Sequence, residues 1–253
     1  MRFHSPEVPG RIRAVSIEAS FRPHPFDNGC GLSHNSGPMP RAPFITFEGS
    51  EGCGKSTQVQ RLASRLEAGA RRFLLTREPG GTPIGEKIRD LLQFAPESAA
   101  MQPETELLLF EASRSQLVRE IIEPALQRGL IVIADRFFDS TTVYQGAARK
   151  LDAVIVEQLN SFAAGRCRPD LTLFLDVDVD TARTRLLRRV RPVGAPDRME
   201  QEPVEFYERV AAAYRDLAAR EPERVRTIDA SRSVEEMEAE IWRVLRSRFP
   251  EIA

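Results

Sequence analysis

The sequence predicts an α/β fold, a parallel sheet covered by helices on both faces. Three observations predict it. Five short apolar runs, at Phe44–Phe47, Phe73–Thr76, Leu130–Ala134, Leu171–Leu175 and Val225–Ile228, alternate with stretches of helical periodicity. Runs this short, with little polar alternation, suit strands buried on both sides, which is the signature of a parallel sheet. The first run passes through a glycine-rich loop directly into a helical stretch, and acid–base pairs follow the second and third runs. In such sheets, ligands sit at the carboxyl ends of the strands.

The bulk properties agree with one such domain. The chain has 253 residues, enough for a sizeable core. Its 36 basic and 37 acidic residues nearly cancel, so no nucleic-acid or anionic-membrane partner is expected. No apolar run approaches the roughly 20 residues of a membrane span. No long apolar secretory region stands at the N-terminus. Three scattered cysteines, Cys30, Cys53 and Cys167, suit a reducing cytoplasm and offer no zinc spacing. All three histidines precede residue 40, which removes histidine acid–base chemistry and histidine-ligated metals from the core. Lysine occurs three times and arginine 33 times, so anions must be held by guanidinium groups or backbone amides.

Residues 1–42 are rich in Pro, Ser, Gly, Arg and His and lack sustained periodicity. They are expected to be a disordered extension, with Met39 an alternative start ahead of a single domain over 43–253. The first strand, Phe44–Phe47, opens into Gly49-Ser50-Glu51-Gly52-Cys53-Gly54-Lys55-Ser56, a G-x-x-x-x-G-K-[ST] loop. Thr57–Ala68 follows as a helix. Strand, loop and helix are the context this motif requires. Its glycines let several N–H groups face one anion, and the helix dipole adds to them. The loop implies a nucleoside triphosphate, with Lys55 reaching the β- and γ-phosphates and the Ser56 hydroxyl ligating Mg²⁺.

After the second strand, Thr76-Arg77-Glu78-Pro79-Gly80-Gly81-Thr82 forces a turn that leaves Arg77 and Glu78 at the strand end. A helix is predicted over Ile84–Leu92. The next, Glu104–Gln127, starts after Pro103 and stops at Gly129. On it Phe110 and Arg114 are four apart and share a face, an aromatic and a guanidinium that suit a nucleobase; a core Phe beside a solvent Arg is the plainer alternative. The third strand ends in Asp135-Arg136-Phe137. There Asp135 can hold Mg²⁺ or its waters, and Arg136 can clamp a phosphate. One helix is predicted over Ser140–Ala164, with Ser140 as its cap. Its Ser140, Thr141 and Gln145 offer donors and acceptors for a base edge.

The fourth strand leads to a helix over Val179–Arg189 carrying Arg183, Arg185, Arg188 and Arg189. The stretch Val190–Pro196, with two prolines and a glycine, breaks it into a loop before Asp197-Arg198-Met199-Glu200. A mobile arginine-bearing lid over about 183–200 is what phosphoryl transfer needs: it closes, excludes water and neutralises charge. A nucleic-acid patch would bring aromatic interleaving and net positive charge, and neither is present. Helices over Pro203–Ala219 and Val234–Phe249 flank the fifth strand. A guanine-specific switch would need an N-K-x-D motif, and the chain has no Asn-Lys pair.

Together F-E-G-x-E-G-x-G-K-S-T, T-R-E-P-G-G-T, L-L-F-x-A-x-R, D-R-F, S-T-x-x-Y-Q-G and D-R-x-E, in this order from Phe44 onward, resemble the bacterial thymidylate kinases. The resemblance implies a P-loop NTPase fold with a five-stranded parallel sheet, a homodimer, and transfer of the ATP γ-phosphate to dTMP with Mg²⁺. Position by position it implies ATP contacts from Gly49 to Thr57, and thymine stacked on Phe110. Arg114 and Gln145 would meet the base edge, with Ser140, Thr141, Tyr144 and Glu78 in the same substrate-binding set. Arg136, Arg89 and Arg77 would hold the dTMP phosphate. Glu51 would lie near the sugar 3′-hydroxyl, and Asp135 in the Mg²⁺ and phosphate region. The loop carries no arginine, so the lid is expected to supply the catalytic one, with Arg188 the candidate. Phe137 and Phe138 stand where many relatives have Tyr, His or a polar residue, and no sugar contact is assigned to them. The acceptor is already an anionic oxygen, so no strong general base is needed. Lys55, Asp135, Arg136 and Glu51 complete the expected catalytic set.

Overall fold

A computed structural model describes residues 42–188 and 197–252. Strand β1 (Phe44–Glu48) runs into helix α1 (Lys55–Ala68), and β2 (Phe73–Arg77) into α2 (Pro83–Gln93). A long rod follows. It consists of α3 (Pro103–Leu117), a π-helical turn over Val118–Ile122, and α4 (Glu123–Gln127). Then come β3 (Ile131–Asp135), the short α5 (Phe138–Thr141) with a π-helical turn over Thr142–Ala148, and α6 (Ala153–Ala164). The last part holds β4 (Leu171–Asp176), α7 (Val179–Arg188), α8 (Val204–Arg220), β5 (Val225–Asp229) and α9 (Val234–Arg248).

The five strands are all parallel, in the order β2-β3-β1-β4-β5. The central strand β1 is buried throughout, and its alternate side chains feed two cores. Ile45 and Phe47 pack with Val59, Leu62 and Leu66 of α1 and Met237, Ile241 and Leu245 of α9. Phe44 faces the other way, with Leu117, Ile122 and Phe137. A third cluster joins α8 to the turn after α5 through Val143, Tyr144, Phe206 and Tyr214. Both sheet faces are therefore covered, which is why the inner strands β1, β3 and β4 read as largely apolar runs.

One predicted helix is broken. The stretch Ser140–Ala164 is two elements, because Lys150 turns left-handed (φ 62) and the Asp152 carboxylate accepts from Val154 and Ile155 N–H to start α6. Ser140 is not a cap. The helix begins at Phe138, and the Ser140 hydroxyl donates to Glu48 instead. The predicted extension over 1–42 and the lid residues from Arg189 to Pro196 lie, apart from Ala42, outside the described residues.

Candidate active site

The glycine-rich loop leaves the carboxyl end of β1 between α1 and α7. Gly52 has φ 80, and a Cβ there would lie 2.2 Å from the Ala182 carbonyl oxygen, so only glycine lets the loop lie against α7. Gly54 (φ 99) turns the chain so that α1 begins at Lys55, two residues before the predicted start. No acidic residue occupies the first turn of that helix, leaving its N–H groups and dipole facing the loop. Lys55 is buried and donates to the Gly49 and Ser50 carbonyls at 2.9 and 2.8 Å. The ammonium is thus held inside the loop. Ser56 donates to Asp135 Oδ2 at 3.0 Å across from the end of β3.

Arg136 sits at the same strand end in the left-handed region (φ 72), a conformation costing roughly 1–2 kcal/mol for a non-glycine residue. Its N–H donates to the Phe47 carbonyl at 3.0 Å. Its guanidinium reaches Glu51 at 2.8 Å, the Ser140 hydroxyl at 3.1 Å and the Tyr144 hydroxyl at 3.3 Å. Tyr144 in turn donates to the other Glu51 oxygen at 2.8 Å. One side chain of the phosphate loop is therefore tied to two residues predicted for a second substrate. Arg136 pairs with Glu51, not with its neighbour Asp135.

At the end of β2, Arg77 pairs with Glu86 and donates to the Pro79 carbonyl. Arg89 donates to that same carbonyl at 3.1 Å, and among the described residues it forms no ion pair. Burial and the adjacent Arg77 pull its pKa down to about 10. The Pro79 carbonyl thus brings two guanidinium groups, those of Arg77 and Arg89, side by side.

Arg114 is different. It is 1% exposed, and all five of its N–H groups are engaged. Nε and Nη2 form a fork onto Glu78, Nη2 also reaches Thr141, and Nη1 reaches Glu111 and Asn160, all within 3.2 Å. Burial pushes Glu78 up to about 7 despite Arg114, with Glu111 and Glu48 adding to the rise. Phe110, one turn before Arg114, is half-buried. Gln145 is buried, with its amide N–H on Glu106 at 2.7 Å. Phe137 is core, 4.9 Å from the Phe44 ring and under the Arg114 guanidinium, while Phe138 packs on it.

Residues that the sequence left without a role complete the site. Glu48 is fully buried beneath Arg136. Glu106 collects Gln145, Arg149 and Arg198, which joins the segment after the lid to α3. Burial works to raise the Glu106 pKa, but Arg149, Gln145 and Arg198 hold it below the ordinary carboxylate value. Asp197 is pushed up to about 6 by burial, with Glu51 adding to the rise. Of these, Glu48 and Asp197 lie in the F-E-G and D-R-x-E motifs, whereas Glu106 carried no local signal. Of the lid arginines, Arg183 and Arg188 are exposed, whereas Arg185 turns back to the Ala230 carbonyl at 2.8 Å. Arg183 and Ala182 of α7 line a cleft with Ser50 and Glu51 of the loop.

Comparison with known proteins identifies the family. The thymidylate kinase family model matches residues 47–241. The thymidylate kinase of Syntrophotalea carbinolica is 47% identical over 201 residues, covering 79% of this chain and 93% of that protein. That of Geobacter sulfurreducens is 47% identical over 209 residues, covering 82% and 98%. The crystal structure of thymidylate kinase from Ehrlichia chaffeensis superposes with a TM-score of 0.65 at 35% identity, over 82% of this chain and 99% of that one.

Proposed function

The chain belongs to the thymidylate kinase family and phosphorylates dTMP to dTDP with ATP, and from that premise we propose how its residues divide the work. The observation that carries the proposal is Glu51. It belongs to the phosphate loop, yet it binds Arg136 and Tyr144 on the opposite wall. Donor and acceptor then meet at this side chain, with the ATP phosphates in the loop over Gly49–Thr57 and the dTMP phosphate at Arg136, Arg89 and Arg77. Arg89, held only by the Pro79 carbonyl, can exchange that partner for the phosphate. Phe110 stacks the base, and Gln145 and Thr141 lie along its edge. Arg114 acts chiefly as the post that fixes Glu78 and Thr141, because a base contact would require it to exchange a partner.

Ser56 and Asp135 supply a hydroxyl and a carboxylate 3.0 Å apart, hard oxygen donors that fit Mg²⁺ when phosphates and water complete its shell. When bound, that ion neutralises phosphate charge. The protein's own contribution is alignment and further neutralisation. Lys55, already inside the loop, exchanges its carbonyl partners for phosphate oxygens. Arg136 holds the acceptor oxygen in line, and Arg188 at the end of α7 is the candidate to neutralise charge on the transferring phosphate. Measuring KM for both substrates in Arg136→Met and Arg89→Met tests the division. Both should raise KM for dTMP while leaving that for ATP within about twofold; equal losses on the two substrates would overturn it.

We also propose a homodimer through α3 and α6. These adjacent helices expose Leu108, Val154, Ile155 and Phe162, the last at 77%. Sedimentation of Phe162→Glu at half the wild-type mass would support it; an unchanged mass would refute it. Among the described residues no helix is long and apolar enough to cross a membrane. Cys53 and Cys167 are buried, and from the few scattered cysteines of the sequence we place the enzyme in the cytoplasm. The family match begins at Phe47, which supports reading 43–253 as the catalytic domain and 1–42 as an extension to it.

A further inference from the structure

Arg136 must hold an unusual backbone conformation and aim a guanidinium at the acceptor phosphate, and one buried carboxylate touches both features. Glu48 is the last residue of β1, is fully buried, and directly precedes the phosphate loop. Its Oε1 accepts from the Phe137 N–H at 2.8 Å, the peptide just after Arg136. Its Oε2 accepts from the Ser140 hydroxyl at 2.6 Å and the Tyr214 hydroxyl at 2.7 Å. That Ser140 oxygen receives the Arg136 guanidinium at 3.1 Å. Glu48 thus grips Arg136 from two sides, at the following amide and through the hydroxyl under its side chain. The preceding strand residue, Phe47, holds the Arg136 N–H. Of the charged groups facing Glu48, Asp139 opposes its negative charge and Arg136 favours it.

We propose that Glu48 is a positioning residue for Arg136, setting the backbone turn and the reach of the guanidinium through Phe137 N–H and Ser140. It touches neither substrate. Burying a carboxylate costs free energy unless several donors meet it. Three donors converge here, one on the peptide that follows Arg136 and one hydrogen-bonded to its guanidinium, whereas an apolar side chain would serve the core alone better. The proposal rests on the reading of Arg136 as the acceptor-phosphate clamp.

The test is a kinetic cycle with Glu48→Gln, Arg136→Met and the double variant, measuring KM for dTMP and for ATP and kcat. Gln keeps the volume but replaces an acceptor by a donor facing Ser140 and Tyr214. We expect Glu48→Gln to lower kcat/KM for dTMP by about 10- to 100-fold, with KM for ATP within about twofold. In the Arg136→Met background the same change should have almost no further effect, because a residue acting through Arg136 is silent once it is gone. Fully additive losses, or equal losses for both substrates, would show that Glu48 serves only the core and overturn the proposal. Unaltered dTMP kinetics in Arg136→Met alone would instead overturn the clamp reading, and the proposal with it. Should Glu48→Gln not fold, Ser140→Ala cuts only the side-chain link. A dTMP-selective loss, absent in the Arg136→Met background, supports the relay, and unchanged KM for dTMP overturns it.

Discussion

Arg114→Met separates a structural post from a ligand contact. The guanidinium is fully buried and its five donors serve Glu78, Glu111, Thr141 and Asn160. Methionine fills much of the same space without charge, leaving two buried carboxylates with no cation between them. Removing one partner of a buried ion pair costs about 3–5 kcal/mol. At roughly 2–4 °C per kcal/mol for a domain of this size, Tm should fall by about 6–20 °C. The cost must also depend on pH. Glu78 is already raised from 4.5 to about 7 by burial while Arg114 pulls it down, so losing Arg114 raises it further. A carboxyl whose folded pKa is raised contributes stability that is present below its unfolded pKa and lost as pH rises through the folded one. The variant should therefore lie closer to wild type near pH 5 than near pH 8. Thermal unfolding followed by far-UV circular dichroism at both pH values measures this. A Tm within about 2 °C of wild type at both, together with a raised KM for dTMP, would refute the reasoning from engaged donors.

Other expectations follow from the same geometry. Lys55→Ala should lower kcat by about 10²- to 10³-fold while the dTMP dissociation constant stays within about twofold; a matched loss of dTMP binding in calorimetry would count against the separation of sites. Phe110→Ala should weaken dTMP by about 1–3 kcal/mol and leave ATP untouched, and unchanged dTMP affinity would make Phe110 a packing residue only. Glu78→Gln should flatten the pH profile of stability. Below its unfolded value of 4.5 the wild-type carboxyl is protonated folded or unfolded. Because its folded pKa is about 7, wild type should lose about 3 kcal/mol relative to the variant as pH rises past that value. Parallel urea-unfolding profiles of the two proteins would contradict this.

The fold was legible because its signals are local. Five apolar runs, a loop with fixed glycine spacing and turns at Pro79-Gly80-Gly81 and Gly129 each act within a few residues; the strand order β2-β3-β1-β4-β5 does not follow from them. The break inside the predicted helix over Ser140–Ala164 was not legible. It depends on a left-handed Lys150, a residue with no turn preference, and on Asp152, which reads equally well as a solvent-facing helical residue. The phosphate-loop half of the site was legible for the same reason as the fold. The carboxylates that organise the other half were not. Glu48 meets Ser140 and Tyr214 across 92 and 166 residues of chain, and Glu106 meets Arg198 across 92. In sequence, Glu48 merely ends an apolar run and Glu106 looks like an ordinary acid in a first helical turn.

With 33 arginines, the chain's composition cannot say which of them are available to phosphate. What each guanidinium already binds does say it. Arg114 is saturated by buried carboxylates and Arg185 is turned to a carbonyl of the β5–α9 connection. Arg149 and Arg198 are fixed by Glu106. Arg89 has only a shared carbonyl, and Arg136 has a single carboxylate, Glu51, that belongs to the loop across the cleft. An incoming dianion competes easily with a shared carbonyl and poorly with a buried fork of carboxylates. We propose that the arginines facing the reaction are those whose present partners an incoming phosphate can replace. Under that proposal Arg89 and Arg136 stand apart from Arg114, Arg149, Arg185 and Arg198, and Glu48 holds Arg136 in place.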